Sequence, residues 1–414
     1  MAKERLIAAI DIGNSRIRTV VGSIDEAKKI PSILSVGVAP TFGLRKGQVI
    51  DVEETIQSIS QALEEAERIS GEPIHRVTVG ISGSHIESFD ARGVVAVSGE
   101  EIGDGDLERV LETAQAISIP NNYKVLKIIP KSFTIDGQRG IRYPVGMVGK
   151  KLEVEAHIIC GLVPALKNIE KCVYEAGVDI DDILPAILAP GEAVLTKRQK
   201  ELGVVVIDIG SGGTNVAVYE EGTLLYSTVI PVGGENVTND IAIGLRTSLD
   251  IAEKLKIEYG TLYIDEVRDK DEVDLSLFSK QDAQRISKKH LVEVIMARYD
   301  EIFYLIKQEL KKIGRDGMLP AGVILVGGGA KVMGSVDLAR NILNLPVQLG
   351  FPMDTNQVVD KLDDPSFATV CGVLLWASRH DGGGYGFSFR GLNLNLNIGK
   401  NLTKAKDWVK SLLP

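Results

Sequence analysis

The stretch Val204–Tyr219, "VVVIDIGSGGTNVAVY", decides how the rest of the chain is read. An apolar run, Asp-Ile-Gly, a few small polar residues and a second apolar run describe two strands joined by a tight turn. The same pattern stands at Leu6–Gly22, "LIAAIDIGNSRIRTVVG", with Asp11 in the place of Asp208. A repeat this far apart is too coarse for a solenoid. It indicates a duplicated α/β domain with insertions in each copy, two related halves on one chain.

Working outward from the first copy, Leu6–Ile10, Thr19–Ser23 and Ser32–Val38 read as strands, and Glu53–Ile69 as a helix with Ile56, Ile59, Leu63 and Ala66 at helical spacing. "RVTVGIS" (Arg76–Ser82) is another strand. From about His85 to Pro164 the character changes to β-rich runs around one polar helix near Asp106–Ala116, a compact α+β insertion. A helix over Ala165–Ala176 and the apolar segment "ILPAILAPGEAVL" close the first half. In the second, "TLLYSTVIPV" supplies a third strand. Helices are expected over Thr238–Gly244, Ser248–Tyr259 and Gln281–Ile313. Then come "AGVILVGGGAKVMG", the strand "PVQLG" and a helix in "ATVCGVLLWASR".

Turns rich in Gly and Ser/Thr present backbone N–H groups to an anion, and glycine permits close backbone approach. Gly13, Asn14 and Ser15 in the first turn, and Gly210, Ser211, Gly212, Gly213 and Thr214 in the second, are therefore candidate phosphate contacts from opposite sides. An aspartate at the end of each strand, Asp11 and Asp208, suits Mg²⁺ held through its own water shell. A third cluster, Gly327, Gly328, Gly329 and Ala330, follows the strand "GVILV" and offers backbone to a base and ribose. Either Asp-Ile-Gly turn alone is also what an ordinary hairpin requires. The pair with a third cluster points to a ligand. None of the clusters has the GxxxxGK[ST] or GxGxxG spacing, which disfavours a P-loop or dinucleotide enzyme.

Composition narrows the class. The 414 residues carry a net charge of −9, with 44% hydrophobic and 25% charged residues, as in globular proteins with two or more domains. Nothing globally basic invites nucleic acid. Cys160, Cys172 and Cys371 are scattered, which fits neither a disulfide framework nor zinc and suits a reducing cytoplasm. The run before Asp11 is too short for a signal peptide, and no apolar run of about 18 residues predicts a spanning helix.

The two turns, the linking "APGEAVL" and the "VILVGGGA" turn together resemble the actin/Hsp70/sugar-kinase superfamily. Within it, "IPKSFTIDGQRGIRYPVGMVGKKLEVEAHII" (Ile129–Ile159) and "ARYDEI" (Ala297–Ile302) resemble the bacterial cell-division family FtsA, over essentially the whole chain. The resemblance implies duplicated actin-like (ribonuclease H-like) domains around a nucleotide cleft that binds ATP and Mg²⁺. It implies subdomain 1A at 1–84 with 165–202, an inserted 1C at 85–164, 2A at 203–232 with 316–381, and an inserted 2B at 233–315. "AEKLK" resembles the ribose- and base-contacting segment of bacterial actins, which points to Glu253 and Lys256; a solvated helix face has the same spacing. ATP hydrolysis asks for a Glu or Gln near the hinge to orient water, and Glu192 is the only carboxylate in "ILAPGEAVL". Glu192 equally suits the start of a helix.

The family further implies a divisome adaptor on the cytoplasmic face of the membrane. It would bind the C-terminal tail of FtsZ, polymerise with itself, and meet downstream division proteins. Arg298 and Tyr299 in "MARYDEIF" are candidate FtsZ contacts, an Arg beside an aromatic, although Tyr299 also fits a core position. Two alternatives share the fold: a pilus-assembly homologue like PilM and a small-molecule kinase. The last segment, "GKNLTKAKDWVKSLLP", speaks for a membrane. As a helix at about 100° per residue, Leu402, Ala405, Trp408, Val409, Leu412 and Leu413 fall on one arc of roughly 140°. Four lysines against one aspartate favour anionic headgroups, and Trp408 suits the interface. Residues 382–399 read as a linker and 400–414 as the membrane-targeting helix.

Overall fold

The buried stretch of β1 (Arg5–Ile12), with six consecutive residues out of solvent, has the continuous apolar character of a strand covered on both faces. It is part of a computed structural model that describes residues 5–24, 30–116, 119–278, 284–353 and 362–380. β1, β2 (Arg16–Ile24) and β3 (Pro31–Pro40) form an antiparallel meander, followed by the small hairpin β4 (Leu44–Arg45) and β5 (Gln48–Val49). Helix α1 (Val52–Ser70) leads into β6 (Arg76–Ile81), which runs parallel to β1. Asp51 caps α1 by accepting from Glu54 N, and Gly71, at φ 74°, ends it in the left-handed conformation. The helix lies so close to β3 that a β-carbon on Gly37 would run into the carbonyl of Ala62.

Between β6 and the rest of this sheet the chain makes a separate unit: β7 (Ile86–Ala96), α2 (Asp104–Ala116), β8 (Tyr123–Ile135), β9 (Gln138–Ile141) and β10 (Lys151–Leu162). These strands form a four-stranded antiparallel sheet in the order β7-β10-β8-β9. It has its own core, in which Leu107, Val110 and Leu111 of α2 meet Phe133, Leu152 and Val154. The chain then returns through α3 (Val163–Glu175) to β11 (Asp179–Pro185), and α4 (Ala189–Val194) and α5 (Lys197–Leu202) lead to the second half. The apolar segment Ile183–Leu195 is thus divided into strand and helix, with Pro185 ending one and Pro190 opening the other.

The second half contains β12 (Val204–Ile209), β13 (Thr214–Glu220), β14 (Thr223–Ile230), α6 (Gly234–Leu245), α7 (Leu249–Tyr259), the pair β15 (Glu272–Asp274) and β16 (Arg285–Ser287), α8 (Lys288–Lys312), β17 (Val323–Val326), α9 (Ser335–Leu343), β18 (Val347–Leu349) and α10 (Ala368–His380). The duplication read from the sequence is visible in the strand orders. The sheets run β11-β6-β1-β2-β3 and β14-β13-β12-β17-β18, the same order by position in each half. The first three strands of each are antiparallel neighbours, and the last two run parallel to the first.

One helix differs from the expectation. The segment Gln281–Ile313 is not one helix: α8 starts at Lys288, where Ser287 accepts from His290 N as its cap. Arg285–Ser287 is instead a strand paired with Glu272–Asp274, because Ile286 is buried there. Ala283 and Ile286 stand at helical spacing ahead of the cap, and the polar run Ser287–His290 reads as an exposed turn of the same helix. Residues 281–283, the tail 381–414 and with it the membrane-arc residues Leu402, Ala405, Trp408, Val409, Leu412 and Leu413 lie outside the described residues.

Candidate functional site

Both Asp-Ile-Gly turns are hairpin connections at the same end of their sheets. The second is shaped by backbone alone: Gly210 N donates to Gly213 O at 3.0 Å, and Gly234 N donates to Gly210 O at 2.9 Å. The N-terminus of α6 therefore rests on the turn, and a β-carbon on Gly233 would stand 2.6 Å from the carbonyl oxygens of Gly210 and Ser211. A helix N-terminus over such a turn is a favourable anion environment. Thr214, by contrast, is fully buried and its hydroxyl donates to Val232 O at 2.8 Å. Its side chain holds the turn together instead of facing a ligand.

The first turn meets the second directly. A β-carbon on Gly212 would collide with Nδ2 of Asn14, so the Asn14 side chain lies against the Gly212 backbone. On its other side, Asn14 Oδ1 accepts from Gly47 N at 2.7 Å, in the β4–β5 hairpin. Thr41 braces this turn, donating from Oγ1 to Gly13 O at 2.8 Å and from its N–H to Ser15 O at 3.0 Å.

Asp11 and Asp208 are both buried beneath these turns. Burial raises the Asp11 carboxyl to about 7, with the Arg18 cation opposing the rise and the Asp208 charge adding to it. Burial also raises Asp208, against the hydrogen bonds that its Oδ2 accepts from Asn215 Nδ2 at 3.3 Å and Thr369 Oγ1 at 3.1 Å. Arg18 lies over the Phe367 ring at 5.3 Å, and its buried Nε has no hydrogen-bond partner among the described residues. Two acids and one guanidinium out of water leave a local excess of negative charge that a hydrated divalent cation would offset. The donor set, two hard carboxylates, fits Mg²⁺.

Arg18, Asn215 and Thr369 were not among the residues singled out from the sequence. Two of them were legible in the repeat: Arg18 is the cross-strand partner of Asp11, and Asn215 that of Asp208, at the same offset in both hairpins. Thr369 had no such signal, since only the packing of α10 brings it to Asp208.

The third cluster borders the same carboxylate. Gly327 has φ 86°, and a β-carbon there would strike Asp208 Oδ1. Only glycine satisfies both conditions. Gly329 presses on Ile209, and its carbonyl accepts from the Tyr299 hydroxyl at 2.7 Å. Lys256 Nζ donates to Gly234 O at 3.1 Å, to Thr238 Oγ1 at 2.8 Å and to Glu253 at 2.6 Å. Glu253 and Lys256 thus stand on the helix terminus that rests on the second turn. The sequence candidates Asp11, Gly13, Asn14, Ser15, Gly210–Gly213, Glu253, Lys256 and Gly327–Ala330 converge on one region.

Besides Thr214, two further candidates are corrected. Glu192 pairs with Lys200 Nζ at 2.8 Å and with Arg379. Arg379 lies ten residues along α10 from Thr369, and at a helical rise of about 1.5 Å per residue that is roughly 15 Å from the Asp208 contact. Glu192 therefore does not stand beside the carboxylates. Tyr299 is 1% exposed and packs in the core of the second half under the glycine cluster, so it is no surface contact. Its neighbour Arg298 remains partly exposed and grips Asp240 through Nε and Nη2 at 2.6 and 2.9 Å, with Glu301 alongside.

A family profile described as "Cell division protein FtsA" matches residues 205–372, and one described as "SHS2 domain inserted in FTSA" matches residues 83–160. The Cell division protein FtsA of Pseudomonas aeruginosa is 37% identical over 408 residues, covering 98% of both chains. The chain belongs to the FtsA family. The FtsA proteins of Bacillus subtilis and Escherichia coli are 38% and 30% identical, over 92% and 99% of this chain and 85% and 96% of their own. Among solved structures, a PilM–PilN type IV pilus biogenesis complex aligns with a TM-score of 0.66 at 18% identity, over 90% of this chain and 98% of that one. MreB5 of Spiroplasma citri bound to ADP aligns at 0.51 and 14%, over 89% and 94%. These two establish the actin-like fold alone. The pilus-assembly alternative therefore keeps a likeness of fold, while membership of the FtsA family speaks for cell division. Among the described residues no helix is long and apolar enough to cross a membrane.

Proposed function

We propose that this FtsA-family chain binds ATP with Mg²⁺ between its two halves and couples FtsZ filaments to the cytoplasmic face of the membrane at the division site. The observation that carries the nucleotide reading is the contact of Asn14 with Gly212, which joins the two glycine turns directly above Asp11 and Asp208. Asp11 and Asp208 would hold the hydrated metal, and the turn backbones would hold the phosphates. Gly327–Ala330 with Glu253 and Lys256 would border ribose and base. The metal would offset phosphate charge. Arg18 supplies a fixed cation to the same acids.

In this reading the first half is 1A with the inserted unit as 1C, and the second is 2A with residues 233–315 as 2B. FtsZ would be met on 2B near Arg298 through its C-terminal tail. The tail of this chain, with Trp408 at one edge of its apolar arc, would lie on anionic lipid. Head-to-tail contacts between actin-like copies propagate instead of closing, and a filament multiplies weak single-copy membrane binding. Downstream division proteins would join this assembly. Titration calorimetry with Mg·ATP tests the cleft: binding lost on Gly212→Val supports the assignment, and unchanged affinity removes it.

A further inference from the structure

The inserted unit, residues 86–162, touches both halves of the molecule. Its root is in the first half, where Leu162 N donates to His85 O at 3.0 Å and ties the entering and leaving strands together. A second seat on the first half is ionic. Lys127, almost wholly buried, pairs with Asp182 at 2.8 Å and lies over the Trp376 ring at 4.9 Å, while Trp376 Nε1 donates to the same carboxylate at 3.1 Å. The third seat is on the other half. Ser227, on the edge strand β14 of the second sheet, meets Ser88 Oγ at 2.9 Å and His157 Nε2 at 2.8 Å. His157 Nδ1 is held in turn by Asp90 at 2.8 Å.

A body seated on both halves must yield at one seat when the halves move. The covalent root and the Lys127–Asp182 pair are the stronger, and the neutral hydroxyl and imidazole contacts at Ser227 are the weaker. His157 also meets the Tyr226 ring at 6.2 Å, but β14 contributes no charged side chain to this seat.

The root itself is joined to the first glycine turn. Asn14 Oδ1 accepts from Gly47 N, Ser84 N donates to Lys46 O at 3.2 Å, and Gly47 is packed so tightly on Ser82 and Gly83 that a β-carbon would strike the Ser82 carbonyl. The β4–β5 hairpin thus stands between Asn14 and the strand that enters the inserted unit. Asn14 has a face toward each side, its Nδ2 on Gly212 and its Oδ1 on the hairpin.

We propose that Asn14 is a positioning residue that relays phosphate occupancy to the inserted unit. A phosphate between the turns displaces the Asn14 amide from Gly212. The displacement passes through Gly47 and Ser84 to the root, and the unit shifts at its Ser227 seat. The relay rests on the nucleotide reading above, and it adds a regulated element to that site: the seat of residues 86–162 on β14.

The test is a cross-link in the full chain. Ser88→Cys with Ser227→Cys puts two thiols where the hydroxyls now touch, and Cys160, Cys172 and Cys371 are all buried. Calorimetry first establishes Mg·ATP affinity for each protein. Disulfide formation under mild oxidant is then timed with and without saturating Mg·ATP. The expected result is a rate changed by about fivefold or more on nucleotide binding, with the change abolished when Asn14→Ala is added. Asn14→Ser, too short to reach Gly47, should behave as Asn14→Ala does. ATP that binds without altering the rate overturns the relay and leaves the nucleotide site standing. A full nucleotide effect in both Asn14 variants overturns it equally. No ATP binding to the parent chain overturns both readings.

Discussion

Asp11 and Asp208 are each the penultimate residue of the first strand in their sheet, and the charge on Asp208 opposes ionisation of Asp11. Duplication has brought two acids to one place, where neither is comfortable as an anion without a cation.

The first prediction concerns pH. The Asp11 carboxyl is raised from 3.8 to about 7. Between those values the unfolded chain releases a proton that the folded chain keeps, so stability falls as pH rises from about 4 to 7. At about 1.4 kcal/mol per unit the fall is at most about 4 kcal/mol. Denaturant unfolding across this range without divalent ions should show the slope, and Asp11→Asn should reduce it, leaving the part of the same sign that the raised Asp208 contributes. A slope undiminished in Asp11→Asn would assign it to another group.

Gly212→Val should leave the fold cooperative while weakening ATP binding by about tenfold or more, a difference of about 1.4 kcal/mol. The branched side chain would enter the space of the Asn14 amide. Calorimetry beside a thermal melt separates loss of the site from loss of the fold.

Tyr299→Phe removes the hydroxyl that donates to Gly329 O. Gly329 O keeps the Val332 N–H at 3.4 Å, so loss of this one hydrogen bond should cost about 1 kcal/mol of stability. Because Tyr299 is buried, affinity for the FtsZ tail peptide should not change, and fluorescence anisotropy with the labelled peptide checks this. A large loss of peptide affinity in a folded Tyr299→Phe protein would reopen its surface role.

The neighbouring arginine needs two variants. Arg298→Glu places a third carboxylate beside Asp240 and Glu301, and should lower stability by about 1 kcal/mol as well as weaken the peptide. Asp240→Asn breaks the same pair while keeping the cation. It should lower stability and spare peptide binding. If Arg298→Glu binds the peptide as the parent does, Arg298 is not part of the surface.

The sequence made some of this legible and not the rest, for physical reasons. Paired strands and glycine turns follow from short-range patterns, so both hairpins, the third cluster and the α+β insertion could be read directly. The offset from Asp11 to Arg18 recurs from Asp208 to Asn215, and strand register makes it meaningful, so those partners lay within reach. Glu192 and Tyr299 depended on long-range packing. Nothing local announces that Arg379, far along the chain, neutralises Glu192. Apolar spacing alone does not say whether Tyr299 on α8 faces core or solvent. The start of α8 is hidden because Ala283 and Ile286 hold helical spacing ahead of the Ser287 cap, and the polar run Ser287–His290 reads equally well as an exposed helical turn.

If one chain holds FtsZ on one side and lipid on the other, flotation tests both at once. FtsZ filaments are mixed with anionic liposomes and Mg·ATP, with the parent chain or with Trp408→Glu, and the lipid fraction is collected. The account predicts FtsZ in that fraction only with the parent chain, and neither protein there with Trp408→Glu although its ATP affinity is unchanged. Equal recovery of FtsZ with lipid for both proteins, or none with either, would contradict it.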